Sequence, residues 1–212
     1  MSEAEAHFQR ALIDVNNLMD FHAWHGGDLR GRRASNLQSL NKSAVVLLCA
    51  AWESYVESVI VESAERSIST AVDPSGMLQS LQLITGRHIK DAKDERVWRS
   101  AAGDGWRDLT RSVVRNKLWG FNTPKRHQIE QLFKLVLGVR DIPANWVWHK
   151  SSPIRSAERL DAFVVLRGSI AHGERRPNAV TKRDVDEGIN VITRLVAFIE
   201  QRLMADGLLP PA

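Results

Sequence analysis

The sequence predicts an all-α fold, a helical bundle with long core helices and an insertion of short helices. Apolar residues recur at the three- and four-residue spacing of a helix through long segments, and no alternating strand pattern persists. Clusters of glycine and proline separate these segments. Because 212 residues can bury a core without disulfides, we expect a single domain over residues 1–212. We expect its core at about 1–72 and 124–206, and the helical insertion at about 77–119.

The composition favours a basic protein of the reducing cytoplasm. The net charge is +4, and 21 of the 29 basic residues are arginine, the better planar donor to phosphate. This favours a polyanionic partner, although a coding bias toward arginine would give the same excess. We interpret Cys49, the single cysteine, as a buried and inert thiol. The start of the chain lacks a signal pattern and no apolar run approaches about 18 residues, so we expect a cytoplasmic protein without a membrane partner.

The first third of the chain predicts two long helices. Residues 3–23 carry an apolar stripe opposite acids and amides, and a break rich in glycine and arginine follows at 26–33. The second helix, expected over about 35–71, keeps a wide apolar face and is interpreted as the central core helix. Glu53 stands inside this apolar stretch. It therefore faces solvent, fixes the core through an ion pair, or orients a functional cation.

The insertion at 77–119 combines basic residues with tryptophans. Rings that stack on bases and guanidinium groups that hold phosphate are typical of RNA grooves. Arg107, Arg111 and Arg115 recur every four residues and are therefore expected to line one solvated stripe. We favour a stripe that faces an RNA substrate, and the alternative is a plain solvated helix face.

The last part of the chain predicts three further helices. A core helix is expected at 129–137. Ser156 is expected to cap a helix that ends at Gly173, where glycine can adopt the left-handed conformation of a helix stop. Thr181 is expected to cap a last helix that reaches about residue 204.

The helix that ends at Gly173 contains the segment R-G-S-I-A-H, in which Arg167 and His172 stand five residues apart. Five residues on a regular helix advance about 7.5 Å and turn by roughly 140°. The two side chains can therefore edge one cleft only if the last turn loosens or if a second copy of the helix faces the first. Spacing alone favours capping and ion pairing over catalysis for both residues.

Three blocks of sequence resemble the HEPN-domain ribonucleases. R-G-S-I-A-H matches their R-x4-H signature, A-A-W-E-S-Y-V-E-S-V occupies 50–59, and I-E-Q-L-F-K-L-V-L-G-V-R-D-I-P occupies 129–143. The order of the blocks over roughly 35–205 is similar to the RiboL-PSP and MAE-type branches of that superfamily. The resemblance implies a HEPN-like helical bundle.

The resemblance also implies an activity. HEPN ribonucleases are typically metal-independent endoribonucleases, act as homodimers with a shared active-site cleft, and need no cofactor. The residues that it implicates in catalysis are Arg167 and His172. We expect Glu53 and Ser169 to support them, and we expect Arg175 and Arg176, in the basic turn that follows the helix, to contact RNA. It further implies a role as a toxin or in phage defence, with a cognate antitoxin as a partner.

A histidine and an arginine suit the cleavage of RNA without a metal ion. The ribose 2′-hydroxyl can attack the adjacent phosphate while a histidine carries the proton and an arginine stabilises the developing charge. DNA lacks this hydroxyl, so RNA is the expected substrate. Many active relatives carry a polar residue directly after the arginine, where this chain has Gly168. The alternatives are therefore a weak or inactive HEPN module that binds RNA, nucleotide or a protein partner, and a purely structural helical adaptor.

Overall fold

The computed structural model describes residues 1–26, 34–94, 96–148, 151–173 and 180–211. Within these ranges the regular structure is helical, with one isolated β-bridge between Trp148 and Ser151. The all-α prediction is therefore confirmed. The helices are α1 (Glu3–Gly26), α2 (Ala34–Thr70), α3 (Gln79–Asp91), α4 (Arg96–Ser100), α5 (Gly105–Leu118), α6 (Arg126–Leu132), α7 (Pro153–Ala171) and α8 (Lys182–Ala205).

The helix α2 forms the centre of the bundle, because α1, α5, α7 and α8 all pack on it. Its buried aromatic residues link it to its neighbours. Trp52 stacks on Tyr55 with ring centroids 5.8 Å apart, and Phe8 of α1 meets Tyr55 edge-on at 5.9 Å. The indole N–H of Trp52 donates to the carbonyl of Pro124 at 3.0 Å. The interpretation of this helix as the central core helix is confirmed.

Among the described residues, α2 is also the one helix long and apolar enough to cross a membrane by length and composition. We expected no uninterrupted apolar run of about 18 residues, whereas α2 meets the criterion through its mean hydropathy. However, 56% of its most apolar stretch is buried inside the protein. A helix that is surrounded by four others also needs apolar residues on most of its surface. The packing of α2 therefore accounts for its apolar composition.

The region expected as a short-helix insertion forms α3, α4 and α5. The helix α5 packs on α2, and α3 packs on α5 and on a π-helical turn at Phe133–Leu137 that continues α6. Buried residues of α3 and α5 belong to the same hydrophobic core as those of α1 and α2. The short helices are confirmed, whereas the division of the domain into a core and an insertion stays a prediction.

The start of α7 differs from the expectation. Ser152 is the N-cap and accepts a hydrogen bond from the backbone one turn into the helix, and Pro153 occupies the first helical position. Proline suits this position because it has no N–H to satisfy. Ser156, which we expected to be the cap, is buried, and its hydroxyl donates to the carbonyl of Trp146 at 2.8 Å. By contrast, Thr181 caps α8 in a capping box as expected.

A buried carboxylate joins the start of α1 to α2 and α8. Glu200 is 3% exposed, and its Oε1 accepts hydrogen bonds from the hydroxyls of Ser2 at 2.7 Å and Tyr55 at 3.1 Å. Its Oε2 is buried without a partner among the described residues. Burial raises the pKa of Glu200, and the two hydrogen bonds oppose this effect. The free energy of unfolding therefore depends on whether this side chain is ionised.

The free energy of unfolding should decrease as the pH rises above 4.5, the ordinary pKa of a glutamate. In that range the folded chain holds the Glu200 proton more tightly than the unfolded chain does, so ionisation favours unfolding. The substitution Glu200→Gln removes this contribution, and urea denaturation at a series of pH values should then give a flatter profile. The exposed Glu158→Gln serves as the control. A profile that Glu200→Gln leaves unchanged would contradict the assignment.

Candidate active site

The helix α7 stays regular through the R-G-S-I-A-H segment. The backbone N–H of His172 donates to the carbonyl of Gly168 at 3.0 Å, and that of Gly173 donates to the carbonyl of Ile170 at 3.2 Å. Gly173 then adopts a positive φ of 65° and ends the helix as expected. The last turn does not loosen before His172. The side chain of His172 therefore stays roughly 140° away from that of Arg167 around the helix axis. The two side chains diverge within one chain.

Arg167 lies on the side of α7 that faces α2. It is half-buried, and its charge acts on Cys49 and Glu53 of α2. Burial raises the pKa of Glu53, and the positive charge of Arg167 opposes that shift. Within the described residues, Arg167 and Glu53 make no hydrogen bond and no ion pair within 4.0 Å. A charged hydrogen bond to Arg167, one of the alternatives considered for Glu53, is therefore not formed, and the supporting role of Glu53 stays a prediction.

The thiol of Cys49 is part of the core beneath Arg167. It is 1% exposed, and burial raises its pKa to about 11. A thiol with this pKa is protonated at neutral pH and is a poor nucleophile. The burial expected of Cys49 is confirmed, and its inertness stays a prediction.

His172 lies on the opposite side, which we call the outer face of α7 and define by Ile154, Ala162, Val165, Gly168 and His172. Ile154 is 66% exposed and Val165 is 47% exposed. A Cβ atom built on Gly168 would meet no described atom within 4 Å outside the backbone of its own helix. The outer face therefore combines exposed aliphatic side chains, a glycine and an exposed imidazole. Sequence reasoning missed this face, although Val165 is an apolar residue off the periodic stripe of α7 and could have indicated it.

Ser169 of α7 and the two arginines that follow the helix were also predicted to act at this site. Ser169 is 8% exposed, and its hydroxyl donates to the carbonyl of Val165 at 3.1 Å and makes a further contact. This bond is a local one within α7. Its supporting role stays a prediction. The predicted RNA contacts Arg175 and Arg176 lie outside the described residues.

Arg107, the first arginine of the predicted stripe on α5, points at α2. Its guanidinium donates to the carbonyls of Ile68 and Ala71, the latter at 2.8 Å, where α2 ends. It also lies 4.2 Å from the ring centroid of Trp106. A cation at this position satisfies carbonyls that the end of a helix leaves without partners and complements the helix dipole.

Arg111 also binds α2. It donates to both carboxylate oxygens of Glu65, at 2.8 and 2.6 Å, and to Asp108 at 2.8 Å. The hydrogen bond from Arg111 lowers the pKa of Glu65. Four residues turn a helix by about 40° beyond a full circle, so successive arginines rotate away from α2, and Arg115 is exposed. The expectation of one solvated stripe was wrong for Arg107 and Arg111, and contact with RNA stays a prediction.

Comparison with known families identifies the fold. The family model for RiboL-PSP-HEPN matches residues 20–205, and the chain belongs to this family. Neither the curated proteins nor the solved structures include a significant match to the chain. The matched range contains Arg167 and His172, and it confirms the resemblance drawn from the sequence blocks. HEPN domains are often ribonucleases, so membership indicates a nuclease or another RNA-related function.

The contacts of Arg107 should contribute to stability. The substitution Arg107→Gln should lower the free energy of unfolding by about 1–3 kcal/mol, because the carbonyls at the end of α2 lose a charged donor. The exposed Arg115→Gln is the matched control on the same helix and should change it by less than about 0.5 kcal/mol. Urea denaturation of the three proteins measures both values. Equal effects of the two substitutions would show that the Arg107 contacts contribute nothing specific.

Proposed function

We propose that this protein is a metal-independent endoribonuclease of the HEPN family that acts as a homodimer. The observation that carries the proposal is the regular geometry of α7 up to its C-cap. The guanidinium of Arg167 and the imidazole of His172 diverge within one chain. A site that uses both groups therefore requires a second copy of α7 opposite the first.

The outer face of α7 supports such a pairing. Its exposed side chains Ile154 and Val165 would lose contact with water on association, which favours a dimer. The absence of a side chain at Gly168 would let the backbone of a second helix approach closely. In the proposed dimer the two copies of His172 lie at a shared cleft. Each Arg167, which is half-buried beside α2, reaches the edge of this cleft with its long side chain.

The proposed reaction is transesterification within RNA. One His172 accepts the proton of the 2′-hydroxyl as its oxygen attacks the neighbouring phosphorus, and the partner's His172 donates a proton to the departing 5′-oxygen. The bond from phosphorus to O2′ forms while the bond to O5′ breaks. The products are a 2′,3′-cyclic phosphate and a 5′-hydroxyl end. Arg167 stabilises the extra negative charge on the five-coordinate phosphate.

A second candidate function is an RNA-binding HEPN module that does not cut. The observation that favours it is Gly168, which places no polar group beside Arg167 where many active relatives have one. The open space around Gly168 accepts a larger side chain. The variant Gly168→Asn is therefore an informative addition to the activity assay, because restored cleavage would support this second function for the natural chain.

Cleavage of single-stranded RNA should proceed in the presence of EDTA. The substitutions Arg167→Ala and His172→Ala should each lower the rate by about 100-fold or more, because each removes a group that acts in the transition state. The exposed Arg140→Ala and His88→Ala are matched controls and should retain the rate. The assay follows labelled RNA and identifies the ends. Equal rates in all five proteins would contradict the assignment.

The proposed dimer should depend on the outer face of α7. Wild-type protein should sediment at twice the chain mass of 23.8 kDa. The substitution Val165→Arg places a charge in the proposed interface and should give monomers that do not cleave RNA. The control is Val72→Arg at a side chain that is 90% exposed elsewhere. A monomeric wild-type protein that cuts RNA, or a Val165→Arg dimer, would contradict the pairing.

We further propose that the protein is cytoplasmic and acts as a toxin or in phage defence, and that a cognate antitoxin inhibits it. The family resemblance supports this role, and the proposed reaction supplies its means, since unrestrained RNA cleavage stops growth. Expression from an inducible promoter should then arrest growth with the wild-type chain. The His172→Ala chain, expressed to the same level, should not. Growth arrest by both chains would show that the toxicity does not depend on the proposed RNA cleavage.

A further inference from the structure

A groove of about 1000 Å³ lies against α2, and none of its lining residues belongs to the outer face of α7. It is formed by the first turns of α1, the second half of α2, the end of α5 and the turn that follows α5. We call it the α1–α2–α5 groove. Its apolar lining residues are Met1, Ala4, Val61, Leu118, Trp119 and Pro210.

Exposed apolar side chains mark this groove as a surface that lacks a partner. Trp119 is 88% exposed and Val61 is 41% exposed. Trp119 directly follows α5 and is held in place by the hydrogen bond from its backbone N–H to the carbonyl of Arg115 at 3.0 Å. Tryptophan is enriched at the energetic centres of protein interfaces, since it buries a large area with little loss of conformational entropy. An exposed indole at the edge of a groove therefore fits a protein partner.

The charge of the groove is opposite in sign to that of the whole chain. Its acidic lining residues are Glu3, Glu57, Glu62 and Glu65 and its basic ones are His7 and Arg115, whereas the net charge of the protein is +4. An acidic surface repels the phosphates of a nucleic acid. This groove is therefore complementary to a cationic partner and not to the RNA proposed for the outer face of α7.

The four carboxylates are not equally available. Glu62 accepts hydrogen bonds from the first N–H groups of α1, and Glu65 is bound by Arg111. Glu57, by contrast, is half-buried and has no hydrogen bond or ion pair within the described residues. Burial raises its pKa, and the negative charge of Glu53 one turn away raises it further. A cation from a partner would stabilise the carboxylate of Glu57 and so oppose both effects on its pKa.

We propose that the α1–α2–α5 groove binds an amphipathic, basic segment of another protein. An apolar side chain of that segment packs on Val61 and Trp119, and a lysine or arginine pairs with Glu57. Two exposed apolar anchors around one half-buried carboxylate select this combination over a purely basic or purely apolar peptide. The binding does not depend on RNA cleavage, so it can be tested whether or not the chain is a nuclease.

The test is a selection from random 16-residue displayed peptides on the immobilised full-length protein. Selected sequences should contain an aromatic or large aliphatic residue flanked by lysine or arginine. A synthetic peptide of the selected consensus should bind wild type and the His172→Ala chain equally in fluorescence anisotropy. Its affinity should fall at least about tenfold with Glu57→Lys and with Trp119→Ala.

Two matched variants control for the loss of any surface charge or any surface tryptophan. Asp20→Lys reverses an exposed acid on α1 beyond the groove, and Trp98→Ala removes an indole that is 68% exposed on α4. Both should bind the peptide like wild type, and all four variants should unfold at the same urea concentration as wild type. Failure to enrich any basic amphipathic sequence would overturn the proposal. So would peptides whose affinity is unchanged by Glu57→Lys and Trp119→Ala.

Discussion

The burial of α2 is the constraint on which the rest of the structure depends. This helix is 37 residues long, and α1, α5, α7 and α8 pack around it. Because it lies inside the bundle, its side chains decide where each neighbour sits. The same burial explains why its composition resembles that of a membrane-spanning helix. The position of α7 against α2 then determines which of its residues face the core and which face outward.

Charged residues at the edges of α2 attach its neighbours at defined points. Glu62 accepts the N–H groups at the start of α1, and Glu65 binds Arg111 of α5. Glu53 lies near Arg167 of α7, whose charge opposes the burial effect on its pKa. Glu62 and Glu65 therefore each meet helix N–H donors or a positive charge, as expected for acids next to a core, whereas Glu53 and Glu57 make no such contact within the described residues. On α5, the same arrangement turns arginine away from solvent and toward the fold.

The helical period predicted the long helices and the central place of α2, and residue type predicted the cap at Thr181. Neither predicted the cap of α7, because Ser156 has the right residue type but Ser152 precedes a proline that starts the helix. The helical period failed for Arg107 and Arg111, whose partners on α2 and directly after it are 36 to 46 positions away along the chain. The residues of the candidate site were visible as a motif. The helical period alone predicts that Arg167 and His172 diverge on a regular helix. The outer face of α7 was indicated in the sequence only by Val165, and the packing of the helix against α2 defines it.

A shared cleft made by two copies of α7 is the central claim. Its most direct test is the activity of heterodimers, purified through two affinity tags, that pair one wild-type chain with one chain carrying both Arg167→Ala and His172→Ala. A cleft that needs an acid and a base from different copies has lost one of them in this heterodimer. We therefore expect a rate of RNA cleavage far below half that of the wild-type dimer. A rate of one half would mean that each chain cuts on its own, and would contradict the claim.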